Sequence, residues 1–160
     1  MRRRASLPAH FIRLFQFVKR FTEVELTLDQ LSVTRIEHGV RSVENPSTVA
    51  RLIREGVTLD VCPISNVKLA VKGIPSMAAH PIRKLFDAGV SVTISSDDPF
   101  FFGNSLSEEY YALHQDLAFS KAELVTIAAN GFKAALLPEH KKKQLLAELA
   151  ALEEQAVIQQ

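Results

Sequence analysis

Residues 90–99 have the sequence VSVTISSDDP, a run of β-branched residues that passes directly into serine, aspartate and proline. Because β-branched side chains favour strands, this run predicts a strand over Val90–Ser95. Two earlier stretches have the same form, VTRIEHG at residues 33–39 and VTLDVCPISN at residues 57–66. They predict strands over Val33–Glu37 and Val57–Cys62. All three predicted strands end in polar residues.

Helical patterns separate these strands and follow the last one. Apolar spacing, capping residues and helix-ending glycines predict helices over Thr48–Arg54, Pro81–Asp87, Leu106–Leu117, Lys121–Leu136 in two parts, and a last helix from Pro138. Alternation of strands and helices indicates βα units on a parallel sheet. We therefore predict an α/β fold with about three parallel strands.

The length of the chain limits what this sheet can form. A complete (β/α)8 barrel takes roughly 250 residues, whereas this chain has 160. Three parallel strands leave an open edge and an uncovered face. Such a sheet cannot close a barrel by itself, and we expect the chain to self-associate, to fold the segment Phe11–Phe21 across the gap, or to remain poorly folded. In any compact form, Phe11, Phe15 and Val18 would contact the sheet or a neighbouring helix.

Composition narrows the class of protein. Nineteen Lys and Arg against 18 Asp and Glu give a net charge of +1, which offers no reason to expect nucleic acid as a partner. A hydrophobic content of 47% argues against a disordered chain. No apolar run approaches the ~20 residues that span a bilayer, so no membrane partner is expected. The single cysteine, Cys62, excludes an intramolecular disulfide and favours a reducing, cytoplasmic setting.

The first 27 residues differ from the rest. Six basic residues precede the first acidic one, Glu23, and phenylalanines and aliphatic residues lie between them at helical spacing. This pattern suits a membrane-surface helix, an organellar transit peptide or a packing segment, although few hydroxylic residues support the transit peptide. We divide the chain into a basic, Phe-rich segment at 1–27, a barrel-derived part at 28–150 and a tail at 151–160.

The polar residues at the strand ends are the candidate site. The carboxyl ends of strands form the active-site face of an α/β barrel, so five side chains should gather there: His38, Ser65, Asn66, Asp97 and Asp98. A histidine and two carboxylates suit a divalent metal or a water-activating site.

Each strand-end motif also has an ordinary structural interpretation. His38 could be a turn histidine, and the Asp97-Asp98-Pro99 run could cap a helix. Cys62 fits a small buried apolar residue, and His80 before Pro81 fits a turn that precedes a helix. The occurrence of three polar clusters, one after each predicted strand, favours the functional interpretation.

Three runs resemble the adenosine/adenine deaminase family: RIEHGV at 35–40, DVCPISN at 60–66 and SSDDP at 95–99, followed by Phe102 and Glu109-Tyr110. The segment from His80 to Val90 is similar to the one that joins the family's last two barrel strands. The resemblance extends from about Leu28 to about Leu149. It implies the last three strands of a (β/α)8 barrel from a zinc-dependent hydrolytic deaminase.

The resemblance also implies roles for individual residues. Asp97 would bind zinc and orient the attacking water. His38 would assist deprotonation of that water and hold the hydroxide, and Asp98 would hydrogen-bond the purine ring. The reaction would release ammonia from a purine nucleoside or base. The stretch from Phe102 to Leu106, together with Glu109-Tyr110, slightly favours adenosine, with adenine as the alternative.

Two elements of the family pattern are missing from this sequence. The family has a His-x-His pair and a His-Ala-Gly-Glu run, and neither occurs here. With only Asp97 of the usual ligands, we expect the chain alone to bind zinc weakly and to be inactive. The chain would then be a truncated or split deaminase completed by a partner chain, or a non-catalytic remnant or interaction module.

Overall fold

The computed structural model describes residues 20–158, with side chains through residue 154. The segment that carries Phe11, Phe15 and Val18 lies outside the described residues, so its predicted contacts stay a prediction. Three parallel strands form one sheet in the order β1-β2-β3. They span Arg35–Glu37 (β1), Thr58–Val61 (β2) and Val92–Ile94 (β3). The predicted α/β fold with three parallel strands is confirmed, although each strand is shorter than predicted.

Eight α-helices surround this sheet within the described residues. They are α1 (Phe21–Gln30), α2 (Pro46–Glu55), α3 (Pro63–Lys68), α4 (Ile82–Asp87), α5 (Pro99–Phe102), α6 (Leu106–Leu117), α7 (Lys121–Ala134) and α8 (Glu139–Ile158). Short 3-10 helices occupy Val40–Glu44 and Met77–Ala79. The sequence patterns did not predict α1, α3 or α5.

The prediction of two helical parts over Lys121–Leu136 was wrong, because α7 is one helix. It continues through Gly131, whose carbonyl accepts a hydrogen bond from Ala135 N at 3.0 Å. One glycine costs a helix only about 1 kcal/mol relative to alanine. At its start, the Ser120 side chain accepts from Glu123 N while the Glu123 carboxylate accepts from Ser120 N. This reciprocal cap satisfies two otherwise unpaired donors.

The core lies between the sheet and the helices that pack on it. Leu59 and Val92 contribute the sheet layer, and the fully buried helical and loop partners are Val24, Leu52, Ile82, Leu85, Leu113, Phe119 and Ile127. Where β1 ends, Gly39 lies so close to this layer that an added Cβ would be 2.8 Å from Leu59 Cδ2. Gly39 also has φ 62°, a left-handed conformation that glycine adopts without strain. The close packing against Leu59 and the left-handed backbone therefore both favour glycine in the turn that follows β1.

Among the described helices, none combines the length and the apolar character that crossing a bilayer requires. The longest, α8, packs against α7 and carries charged side chains along its length.

Candidate active site

The end of β1 places His38 at the edge of the sheet. His38 N donates to the Asp60 carbonyl at 2.8 Å, so the pairing of β1 with β2 extends one residue beyond the strand. His38 and Gly39 then both adopt left-handed conformations, with φ 61° and 62°. This turn buries the His38 side chain against the strand ends. For a non-glycine residue such a conformation is uncommon and often marks a functional position.

The end of β3 places Asp97 at the same edge. Ser95 N donates to the Val61 carbonyl at 2.9 Å, which holds the chain against β2 as far as residue 95. Asp97 follows in a left-handed conformation with φ 59°. Its Oδ2 accepts a hydrogen bond from Ser65 Oγ at 2.8 Å and lies 3.7 Å from His38 Nε2. Two strands that flank β2 thus bring a histidine and a carboxylate together.

The end of β2 leads directly into α3, whose first turn supplies the polar side chains between them. Pro63 ends the strand and occupies the first turn of the helix, a position where its missing N–H costs nothing. Ser65 and Asn66 follow in the same turn, and both are buried. Asn66 Nδ2 lies 3.1 Å from His38 Nδ1, and Asn66 Oδ1 lies 3.1 Å from His80 Nε2.

The structure therefore joins four of the five predicted side chains: His38, Ser65, Asn66 and Asp97. The fifth, Asp98, is exposed, and its Oδ1 accepts a hydrogen bond from Phe101 N at 2.9 Å. Asp98 thus caps the short helix α5 beside the other four. The side chains of the adjacent residues Asp97 and Asp98 have different surroundings because the backbone at Asp97 is left-handed and no longer extended.

Three residues of this region were not predicted as part of a site: His80, Asn104 and Glu109. Glu109 is fully buried, and its carboxylate accepts from Ile64 N at 3.0 Å and from Asn104 Nδ2 at 2.9 Å. Burial raises the pKa of Glu109 to about 7, against the lowering effect of these hydrogen bonds. The available signal was spacing, since Glu109 lies four residues before the core residue Leu113 and shares its helix face.

Some of the donor atoms at this edge suit a metal ion, and others do not. One atom each from His38, Cys62 and Asp97 lies within 4.8 Å of the other two. A carboxylate oxygen is an ordinary zinc ligand, so Asp97 fits that role. Cys62 is less suited, because burial and the nearby carboxylates of Asp60, Asp97 and Glu109 raise the pKa of its thiol. The neutral, buried Cys62 behaves as the small apolar residue that the sequence predicted.

Comparison with known proteins identifies the class to which this fold and site belong. The adenosine deaminase family model matches residues 20–152. An adenine deaminase of Caulobacter vibrioides is 40% identical over 124 residues, which cover 78% of this chain and 36% of that protein. The chain belongs to the adenosine deaminase family, and it spans about a third of the length of such curated relatives.

Solved structures show the same fold. The crystal structure of an adenine deaminase from Arthrobacter aurescens aligns with a TM-score of 0.80 and 35% identity, covering 84% of this chain and 41% of that one. An amidohydrolase from Burkholderia ambifaria with bound zinc aligns with a TM-score of 0.78 and 26% identity, covering 88% and 39%. The expectation of a partial deaminase-type barrel is confirmed.

Proposed function

We propose that the strand-end edge is the portion of a purine deaminase active site that binds zinc and positions the attacking water. The observation that carries this proposal is the 3.7 Å approach of His38 Nε2 to Asp97 Oδ2 from strands that flank β2. Zinc, when bound, would lower the pKa of a water toward ~7 and so supply hydroxide at neutral pH. The donor set agrees with that role, because Asp97 offers a carboxylate oxygen beside an imidazole.

Each residue of the edge has a distinct task in this proposal. Asp97 would hold the zinc and orient the water, and Ser65 fixes the Asp97 carboxylate through the 2.8 Å hydrogen bond. His38 contacts the oxygen that attacks the ring carbon bearing the amine. Asp98, exposed beside the edge, contacts the purine ring. In the overall hydrolytic deamination, the oxygen of water adds to that carbon and the carbon–nitrogen bond to the amine breaks. One proton of the water leaves with the amine as ammonia, and the other remains on the purine product.

We propose adenine as the substrate, in preference to the adenosine favoured by the sequence motifs. The relatives at 40% to 46% identity support this choice, because they are named adenine deaminase. The two substrates differ by the ribose. The purine and the metal would have their complete sets of binding residues only when the remaining barrel strands are present, in a partner chain or in more of the same protein.

A complementation assay tests this proposal. The chain is co-expressed with the portion of the Caulobacter vibrioides adenine deaminase that it does not match, and ammonia release is measured with adenine and with adenosine. We expect deamination of adenine, and none with either polypeptide alone. A soluble, zinc-loaded complex that deaminates neither substrate would contradict the proposed activity, and preference for adenosine would contradict the proposed substrate.

A further inference from the structure

A chain of buried hydrogen bonds connects the backbone of α4 to His38. It begins at the N–H of Ile82, which lies 3.2 Å from Nδ1 of His80. A backbone N–H can only donate, so His80 Nδ1 must accept and cannot carry a proton. The ring proton of neutral His80 is therefore on Nε2. One backbone group thus fixes the tautomer of this histidine.

The same constraint passes through Asn66. His80 Nε2 lies 3.1 Å from Asn66 Oδ1, so the N–H of His80 donates and the amide oxygen accepts. The orientation of the amide then directs Nδ2 to His38 Nδ1, also at 3.1 Å. An amide nitrogen only donates, so His38 Nδ1 accepts. The proton of neutral His38 is consequently on Nε2, which faces Asp97 Oδ2.

Burial makes this directionality difficult to reverse. His80 is 3% exposed, Asn66 2% and His38 8%, so water has little access to groups left unpaired by a flipped amide. A flipped Asn66 would bring its NH2 group against the His80 N–H, so that two buried donors would face each other without an acceptor. Burial also lowers the pKa of His80 to about 4, which keeps its ring neutral at physiological pH.

We propose that His80 and Asn66 are positioning residues that fix His38 in the Nε2–H tautomer, as a hydrogen-bond donor toward the oxygen held beside Asp97. The consequence for catalysis rests on the proposed function. His38 donates to hydroxide and to the oxygen of the addition product, and it is not the first group to take the proton of the attacking water. The carboxylate of Asp97 is the nearest alternative acceptor at this edge.

The protein contains an internal reference of the opposite kind. Nδ1 of His114 lies 2.7 Å from the carbonyl oxygen of Phe119. A carbonyl oxygen only accepts, so His114 must carry a proton on Nδ1. The structure therefore assigns the ring proton to Nδ1 in His114 and to Nε2 in His38 and His80.

Long-range 1H–15N NMR of the full-length chain tests the proposal without any activity measurement. Spectra are recorded without metal at pH about 8, above the ordinary histidine pKa of about 6.5, and each ring is assigned by a His→Gln substitution. We expect protonated Nε2 and unprotonated Nδ1 at His38 and His80, and protonated Nδ1 at His114. Protonated Nδ1 at His38 would overturn the proposal, whether or not the complemented protein deaminates adenine.

Asn66→Asp supplies a directional test. A carboxylate accepts from both neighbours, so His38 should switch to the Nδ1–H tautomer while His80 keeps its proton on Nε2. Asn45→Asp is the matched control, because Asn45 Oδ1 accepts from Ser47 N at 2.9 Å in a helix cap, a hydrogen bond that a carboxylate can also accept. A folded Asn66→Asp protein in which His38 keeps its proton on Nε2 would refute the relay. If that variant does not fold, the wild-type spectrum decides.

Discussion

At the carboxyl edge of the sheet, Asp97 accepts from Ser65 at 2.8 Å and lies 3.7 Å from His38. At the interface of α4 and α7, Arg83 donates to Glu123 at 2.6 Å and 3.2 Å. Both regions place ionisable groups beside the core. In the interface, opposite charges meet in a two-point contact. At the edge, the carboxylate is held by a neutral hydroxyl and an imidazole.

The difference concerns what each region does for folding. The Arg83 guanidinium also lies 3.5 Å from the ring centroid of Phe119, so the interface combines charge pairing, cation–π contact and burial. At the edge, His38 and Asp97 have left-handed backbones, which cost a non-glycine residue on the order of 1 kcal/mol each. The interface stabilises the fold, whereas the edge is maintained at a cost to folding. That contrast is expected where side chains are held for a ligand.

The largest effect is expected from Phe119→Ala in the interface. Phe119 is fully buried, contacts Phe86 edge-to-face with ring centroids 5.4 Å apart, and supports Arg83. Its truncation should lower the free energy of unfolding by about 3–5 kcal/mol. Phe101→Ala is the control, because Phe101 is 74% exposed and should change stability by less than about 0.5 kcal/mol. Urea unfolding measures both, and equal losses would show that Phe119 is not a core residue.

A second prediction concerns the buried Glu109 beneath the edge. Its folded pKa of about 7 is above its ordinary 4.5, so its favourable contribution is complete below pH 4.5 and is lost as pH rises through 7. The loss is on the order of 3 kcal/mol at most. Glu109→Gln should remove this decline, because glutamine has no carboxyl group to ionise. The variant should still fold, because the buried Asn104 Oδ1, which has no partner within the described part of the chain, can accept a hydrogen bond from the new amide once the Asn104 amide group flips. Urea unfolding midpoints of both proteins at pH 5 and pH 8 measure this decline. An equal decrease from pH 5 to pH 8 in both proteins would refute the prediction.

Glu123→Gln should have a smaller effect. Arg83, together with the helix cap at Ser120, lowers the pKa of Glu123 to about 2. Its stabilising contribution is therefore present above pH 4.5 and is lost as pH falls toward 2. Because the pair is partly exposed to solvent, we expect only about 0.2–1 kcal/mol at neutral pH, less at high salt. Thermal melts of both proteins should differ at pH 7, differ less at pH 3, and converge as the pH approaches 2.

Asp97→Asn should change stability least. Asparagine tolerates the left-handed backbone at this position, and its amide can keep the Ser65 hydrogen bond. We expect a change within about 1 kcal/mol, together with loss of the weak zinc binding expected of the wild-type chain. Zinc titration and urea unfolding of the same samples measure the two properties. A large loss of stability would place Asp97 with the interface as a structural residue.

The sequence was sufficient to predict the strands and the edge, because β-branched runs ending in polar residues mark parallel strands and their carboxyl ends. It could not decide how Asp97 and Asp98 differ. Their roles depend on the left-handed backbone of Asp97, which residue type does not predict, and on which of the two aspartates caps the helix that begins at Pro99.

Two other features depended on tertiary contacts. Pro63 directly follows the predicted strand Val57–Cys62, and it begins α3, the helix that places Ser65 and Asn66 in the site. His80 was interpreted as a turn residue, and its position does precede α4. Its hydrogen bond to Asn66, 14 residues earlier, is visible only in the folded chain.

The most direct test of the account measures adenine deamination by the complemented, zinc-loaded protein with Asp97→Asn, against Asn45→Asp, which keeps the helix cap at Ser47 N, as the matched substitution away from the edge. If the strand-end edge positions the attacking water, Asp97→Asn lowers kcat by a factor on the order of 10² to 10⁴ while the complex stays assembled. Asn45→Asp should retain activity within about tenfold. Comparable activity of the Asp97→Asn complex and the wild type would contradict the assignment of this edge as the catalytic site.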